Sequence, residues 1–312
     1  MKHRLSMVRL AEDYLAMRRK LGFAMEIEGA ELLRFARYAD AKGHRGIVTN
    51  DLAIGWAKLP TQASRLYWSR RLDIVRRFAK YRSIFDQSTE IPPAGIFGPA
   101  YRRPRPYIYT DQEIAAILQA CARLGPKGGL RPHTYATLFG LLSCTGLRVS
   151  EALRLRQKDV DLEKGVLSVV ETKFKKSRLV PLHPSTTVAL QKYAMHRDHY
   201  HPVLHTDRFF VTEYGTALKY WRALMTFSEI RRALNWPKHT CRIHDLRHTF
   251  ATRRLLQWYE NGIDVNQKIA ALSTYLGHVK VTDTYWYLTA IPELMAIASA
   301  RYERECGSRR QP

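Results

Sequence analysis

Cysteine is scarce in this sequence of 312 residues, and long uncharged segments are absent from it. The cysteines have no CxxC pair among them, which excludes a disulfide framework and a thiolate zinc site. The longest stretch without Asp, Glu, Lys or Arg, residues 132–147, is too short and too polar for a membrane span of about 20 residues. The first 20 residues hold no apolar core of signal-peptide length, so we expect a cytoplasmic protein. The four cysteines are Cys121, Cys144, Cys241 and Cys306.

Acidic residues are also in short supply. The chain has 28 Asp and Glu against 51 Lys and Arg, a formal net charge of +23. The excess is spread evenly, because residues 1–106 hold 21 basic against 10 acidic residues and the remainder holds 30 against 18. Contacts with phosphates release counterions and favour binding of a basic protein to DNA. The composition therefore favours a nucleic acid as partner over a membrane surface, for which no basic amphipathic segment is present.

The pattern of apolar residues predicts a mainly α-helical chain with a small β-sheet. A segment with five prolines and two glycines, residues 88–106, is typical of a linker between a helical domain, 1–87, and a second domain, 107–312. A capping signal, Thr110 with Glu113, opens the second domain. Two β-rich runs, 166–170 and 178–182, predict a hairpin. Helices are predicted to begin after Thr110 and after Gly146, and to span 5–21, 28–42, 51–59, 62–84, 135–144, 184–198, 216–234, 244–259, 265–276, 282–288 and 292–305.

The last predicted helix of the first domain is strongly basic. Its positive side chains alternate with Tyr67 and Trp68. The pattern fits a helix that faces DNA, and it fits equally a charged face in contact with solvent. The candidate DNA-binding residues are Arg65, Arg70, Arg71, Arg76, Arg77 and Lys80.

Two short segments of the second domain contain arginine and histidine residues that could bind a phosphate. Arg148 follows a Thr-Gly turn in TGLRVSEAL. His244, Arg247 and His248 in HDLRHTFAT share one helix face near its N-terminus. Helix N-termini attract anions, and the guanidinium fork of arginine binds two phosphate oxygens at once. Together the segments predict a phosphate clamp.

These two segments belong to a series of five motifs that follow one another along the chain. TGLRVSEAL precedes a hairpin with Lys173, then HDLRHTFAT, then LGH ending at His278, then Tyr287 nine residues later. Over residues 107–312 this order resembles the tyrosine recombinase (phage integrase) family, and the first domain looks like that family's core-binding domain. The resemblance implies a site-specific recombinase of the integrase or transposase kind, which cuts and rejoins duplex DNA without metal, ATP or cofactor.

The resemblance also implies a role for each residue. Tyr287 would attack a DNA phosphate to form a 3′-phosphotyrosyl bond, and Arg148 and Arg247 would hold the phosphate oxygens. Lys173 would protonate the departing 5′-oxygen. His244 would accept a proton or bind the phosphate, and His278 would hydrogen-bond it. Glu151 matches a family position that we interpret as structural.

Several alternatives remain open at this point. Lys175 or Lys176 could replace Lys173, and Tyr285 is the alternative nucleophile. A type IB topoisomerase would share the chemistry, and a non-catalytic DNA-binding protein could share the scaffold. The expected assembly is a homotetramer on double-stranded DNA in the nucleoid, with the tail beyond Tyr287 docked on a neighbouring protomer and accessory recombinases as further partners. No metal site is expected, since His196, His199, His201 and His205 lie in a predicted polar loop without cysteines.

Overall fold

The computed structural model describes residues 5–101, 105–170, 177–237 and 240–289. The chain divides into two compact units, Met1–Pro104 and Arg105–Pro312. Both are mainly helical, and the second contains a three-stranded sheet, so the predicted fold class is confirmed. None of the described helices has both the length and the apolar character that crossing a membrane requires.

Hydroxyl caps set the starts of three helices in the first unit. The side chains of Ser6, Thr49 and Ser64 each accept a hydrogen bond from a backbone N–H three residues further on. These three helices and a fourth bury Phe35, Trp56 and other side chains in one core, in which these two rings meet edge to face at 5.4 Å. The four helices are α1 (Met7–Lys20), α2 (Ile27–Ala41), α3 (Asn50–Lys58) and α4 (Arg65–Arg82).

The described part of the predicted linker, residues 88–101, packs against the first unit. Phe97 stacks edge to face on Trp68 of α4, with 5.8 Å between the ring centroids. The hydroxyl of Ser69 donates to the carbonyl of Gly98 at 2.7 Å. These contacts attach the segment to α4 instead of leaving it a free tether.

The second unit is built around helix α6, whose side chains Leu138, Phe139 and Leu142 are buried. A capping box between Thr110 and Glu113 starts the unit's first helix, as the sequence predicts. The helices are α5 (Asp111–Ala122), α6 (Arg131–Thr145), α7 (Val149–Ala152), α8 (Pro184–Tyr200), α9 (Tyr220–Ala233), α10 (Ile243–Glu260), α11 (Val265–Leu276) and α12 (Thr282–Thr289).

An antiparallel sheet lies between α7 and α8. Its strands, β1 (Val160–Asp161), β2 (Val166–Val169) and β3 (Arg178–Pro181), are adjacent in chain order. Leu167 of β2 pairs with Val180 of β3, and both side chains are buried. The two predicted strands therefore pair as expected. Strand β1 was not predicted, because two residues are too few to show a strand pattern.

Two local expectations need correction. The helix after Gly146 is a single turn of four residues, α7. Helix α8 extends to Tyr200, so His196 and His199 are helical, and only His201 and His205 lie in the predicted loop. The predicted helix 292–305 falls outside the described residues.

Candidate active site

Two left-handed glycine turns frame the site. Gly146, with φ 62°, ends α6, and Gly277, with φ 68°, ends α11. A Cβ atom at Gly146 would lie 2.5 Å from the ring of Phe250, and one at Gly277 would lie 2.6 Å from Nη1 of Arg178. Both the backbone angle and the close packing therefore require glycine.

Arg247 joins the two turns. This buried side chain of α10 donates from Nη1 to the carbonyl of Gly146 and from Nη2 to the carbonyl of Leu276, each at 2.7 Å. Burial and the nearby charge of Arg148 lower the pKa of Arg247 to about 10. Its guanidinium is thus a positive charge at neutral pH, held in one orientation.

Arg148 lies beside it at the start of α7. Both of its terminal nitrogens donate to the carbonyl of Gly277 at 3.2 Å, and Nη1 also donates to Glu151 at 2.8 Å. The side chain stays 31 % exposed. Its guanidinium can therefore reach a phosphate that enters from solvent.

Glu151 is the buried anion of the site. It accepts hydrogen bonds from Arg148 and from Arg178 of β3, whose Nη2 lies 2.9 Å from its Oε2. Burial alone would raise the pKa of Glu151, but the hydrogen bonds and charges of Arg178 and Arg148 outweigh it and lower this pKa to about 2. The carboxylate is therefore ionised, in keeping with the structural role predicted for it.

Two histidines border the arginines. His244 of α10 keeps access to solvent, yet desolvation and the charge of Arg247 lower its pKa to about 4, so the ring is neutral at neutral pH. His278 follows the Gly277 turn, with its Nδ1 2.7 Å from the hydroxyl of Thr284 in α12. That bond orients the imidazole ring beside the Gly277 turn.

Tyr287 of α12 completes the cluster. Its ring lies 6.1 Å from the His278 ring and nearly parallel to it. It is 3 % exposed and packs among apolar side chains that include Leu255 and Leu272. Tyr285 is 41 % exposed, so the two candidate nucleophiles differ sharply in accessibility.

Five of the six predicted catalytic residues therefore meet in one place. Hydrogen bonds to the two turns and ring contacts link them, with Arg148 at the start of α7, His244 and Arg247 on α10, His278 after α11 and Tyr287 on α12. The sixth, Lys173, and its alternatives Lys175 and Lys176 lie outside the described residues. The five are Arg148, His244, Arg247, His278 and Tyr287.

Comparison with known proteins decides the family. Residues 108–293, more than half of the chain, match the phage integrase family. The chain belongs to the phage integrase family. The predicted membership of the tyrosine recombinases, and with it the class of enzyme that cuts and rejoins DNA, is confirmed.

Relatives from several bacteria share this family. Protein y4rB of Sinorhizobium fredii, named as an integrase/recombinase, is 41 % identical over 301 residues, which cover 94 % of this chain and 96 % of the relative. The tyrosine recombinase XerC of Chlamydia caviae is 29 % identical over 222 residues, covering 70 % of this chain and 65 % of XerC. The integrase of the Tn1549 transposon, solved with circular intermediate DNA, shares the fold with a TM-score of 0.68 at 20 % identity, over 91 % of this chain and 95 % of that one.

Two residues at this family site were not predicted to be catalytic. The ring of His248 lies 4.8 Å from that of His244 and 5.5 Å from that of Tyr287. The sequence placed it on the same helix face as His244 and Arg247, without a role of its own. Arg178 gave no signal, because its partner Glu151 is 27 residues away along the chain.

The predicted DNA-binding residues of α4 have other contacts as well. Arg70, Arg71 and Arg76 donate to the backbone carbonyls of Ala100, Trp56 and Pro92, respectively, at 3.0–3.2 Å. Arg77 pairs with Asp73 on the same helix, and Arg65, Arg70, Arg77 and Lys80 are all exposed. Three of the six side chains thus also join α4 to other segments of the first unit, and DNA binding stays a prediction for all six.

No three His, Cys, Asp or Glu side chains gather as metal ligands would within the described ranges. His201, from the predicted histidine-rich loop, hydrogen-bonds the carbonyl of Glu213 at 2.9 Å instead.

Proposed function

We propose that this protein cuts duplex DNA through Tyr287 and rejoins it to a different strand end. The observation that carries the proposal is the convergence of two guanidiniums, Arg148 and Arg247, with the Tyr287 ring on the Gly146 and Gly277 turns. A cationic pocket beside a phenol fits phosphoryl transfer from a DNA phosphate. The Tn1549 integrase and XerH, which share the fold, were solved bound to DNA.

In the proposed reaction the Tyr287 oxygen bonds to phosphorus while the bond from phosphorus to the 5′-oxygen breaks. The phenol proton passes to His244, which is neutral and can accept it. Lys173 gives a proton to the 5′-oxygen, which leaves as a hydroxyl. The products are a 3′-phosphotyrosyl bond and a free 5′-end. A phenol, with a pKa near 10, is a better leaving group than an alcohol, so a 5′-hydroxyl can reverse the step without ATP.

The arginines stabilise the transition state of both directions. Negative charge builds on the non-bridging oxygens, and donors held in place beforehand each contribute roughly 10²–10³ in rate. Arg247 is held by its two carbonyl partners, and Arg148 by Glu151 and Gly277. His278, whose ring is oriented by its contact with Thr284, adds a hydrogen bond to the phosphate.

Attack on DNA requires Tyr287 to become accessible. The ring is buried by Leu255, Leu272 and other apolar side chains. Helix α12, which carries it, must therefore shift when DNA binds. The contact between Thr284 and His278 ties this shift to the catalytic histidine.

We assign DNA binding to the first unit as well, with the exposed basic residues of α4, Arg65, Arg70, Arg77 and Lys80, as candidates. We further propose a homotetramer on DNA in the nucleoid, assisted by accessory recombinases where the target requires them. In this proposal the tail after Pro292 docks on a neighbouring protomer. Deletion of that tail should leave DNA binding intact and abolish strand exchange, and full recombination by the shortened protein would refute the docking.

The test of the function is covalent trapping. Purified protein in EDTA is mixed with DNA spanning both ends of the element that encodes it, and adducts that resist SDS are separated by electrophoresis. We expect an adduct with wild type and with Tyr285→Phe, and none with Tyr287→Phe. An adduct in Tyr287→Phe would move the nucleophile to Tyr285. Tight DNA binding without any adduct would favour a binding protein, and relaxation without strand exchange would favour a topoisomerase.

A further inference from the structure

Arg178 of β3 has no part in the reaction proposed above, yet it lies against the catalytic cluster. Its side chain is 9 % exposed. The two terminal nitrogens donate to the two oxygens of Glu151, at 3.3 and 2.9 Å, and Nε donates to the carbonyl of Tyr275 at 2.7 Å. All three types of nitrogen in its guanidinium are thus engaged.

The partners of Arg178 are themselves close to groups that bind Arg148. Glu151 accepts from both the side chain and the backbone N–H of Arg148, at 2.8 and 3.0 Å. Tyr275 lies two residues before Gly277, whose carbonyl accepts from Arg148. The Gly277 turn also packs on Arg178 so closely that a Cβ would meet its Nη1. Arg178 therefore holds Arg148 from both sides, through a carboxylate and through a turn.

The charges explain why a second arginine is needed there. Glu151 carries one negative charge, shared by Arg148 and Arg178, so the three groups have a net charge of +1. Without Arg178, the carboxylate would be neutralised by Arg148 alone, and less of the Arg148 charge would remain for a phosphate.

We propose that Arg178 is a positioning residue for DNA cleavage, which shares Glu151 with Arg148 and supports the Gly277 turn so that the Arg148 fork meets the scissile phosphate. This inference rests on the proposed function. Arg178 does not touch the DNA, so its loss should slow the chemical step and leave DNA affinity unchanged.

The first test is Arg178→Lys in single-turnover cleavage. A lysine ammonium keeps the charge but cannot span both carboxylate oxygens and the Tyr275 carbonyl. We expect cleavage to slow roughly 100-fold, as for a displacement of about 1 Å in a catalytic group. The control is Arg131→Met, which breaks an arginine–glutamate pair at the other end of α6 and should cleave at the wild-type rate. Wild-type cleavage by Arg178→Lys would overturn the inference.

A second substrate separates the route through Arg148 from a route through Lys173. When sulfur replaces the bridging 5′-oxygen, the leaving thiolate needs no proton donor, since a thiol has a pKa near 8.5. This substrate should restore cleavage by Lys173→Ala and should not restore cleavage by Arg178→Lys. Restoration in both variants would mean that Arg178 serves the general acid, which would overturn the inference.

A purely structural role must also be tested. Removing both charges in Arg178→Met with Glu151→Gln avoids an unpaired buried carboxylate, so thermal unfolding should stay near wild type. We expect this folded double variant to bind DNA and to cleave slowly. Recovery of cleavage together with stability would reduce Arg178 to a structural residue. Absence of any wild-type adduct would instead refute the proposed function itself, which distinguishes the two failures.

Discussion

The contacts of Glu151 predict how the free energy of unfolding depends on pH. Its pKa is lowered from 4.5 to about 2 because the arginine contacts outweigh its burial. A lowered carboxyl pKa stabilises the folded protein above the unfolded value, and that gain is lost as the pH falls towards the folded value. Glu151 should therefore contribute about 3 kcal/mol to the free energy of unfolding at pH 7. By pH 3 about 2 kcal/mol of this should be gone.

The perturbation is Glu151→Gln, which keeps the shape and removes the charge. Unfolding by urea is followed for wild type and variant from pH 7 down to pH 3, and the difference between their free energies is plotted against pH. Other titrating groups are common to both proteins, so their contributions cancel in that difference. The difference should shrink steadily below pH 4.5.

Glu229→Gln is the matched control, since it breaks an exposed pair with Arg131 in the same unit. Exposed pairs contribute at most about 1 kcal/mol, so this variant should differ little from wild type at any pH. A Glu151→Gln difference that stays constant between pH 7 and pH 3 would refute the reasoning. It would show that the carboxyl titrates as it does in the unfolded chain.

Three further predictions concern the same cluster. Arg247→Lys loses one of two carbonyl partners and should cleave at least about 100-fold more slowly while binding DNA normally; unchanged cleavage in single-turnover assays would contradict this. Gly277→Ala should lower the thermal midpoint more than Gly262→Ala. Both glycines have a positive φ, which costs alanine about 1–2 kcal/mol, but only a Cβ at position 277 also collides with Arg178. Equal midpoints for the two variants would contradict this prediction. The His244 ring should titrate near pH 4 by NMR in the DNA-free protein, below the ordinary 6.5, and a value near 6.5 would be inconsistent with the site.

Local signals predicted most of the helices. The capping box at Thr110 and the apolar spacing of residues 265–276 gave α5 and α11, because both signals lie within a few residues of the helices that they describe. The hairpin followed from two β-rich runs. The single turn α7 was harder, since its four residues are too few to show a period.

The sequence predicted the site residues that lie in short motifs, but it did not predict the partners that hold them. Arg148, Arg247 and His278 could be named from short segments, yet their carbonyl partners at Gly146, Leu276 and Gly277 depend on how distant helix ends meet. Arg178 and Glu151 meet through tertiary packing, and their separation of 27 residues along the chain gives no sign of it. The burial of Tyr287 likewise results from the tertiary packing of α12.

The arginines of α4 show the opposite case, in which a sequence signal has more than one cause. A basic helix with interleaved aromatic residues fits DNA binding, but Arg71 stacks on Trp56 at 3.8 Å and donates to its carbonyl. Arg70 and Arg76 hold residues 92–100. Charge alone could not separate these duties, because a guanidinium binds a carbonyl and a phosphate with the same donors.

The most direct test of the account is to locate the bond between protein and DNA. The adduct formed in EDTA is digested with protease and nuclease, and the peptide that carries a nucleotide is sequenced by mass spectrometry. We predict a 3′-phosphate joined to the Tyr287 oxygen in the peptide DTYWYL, with a free 5′-hydroxyl on the other DNA end. A nucleotide on Tyr285 or on any other residue, or a 5′-phosphate linkage, would contradict the central claim.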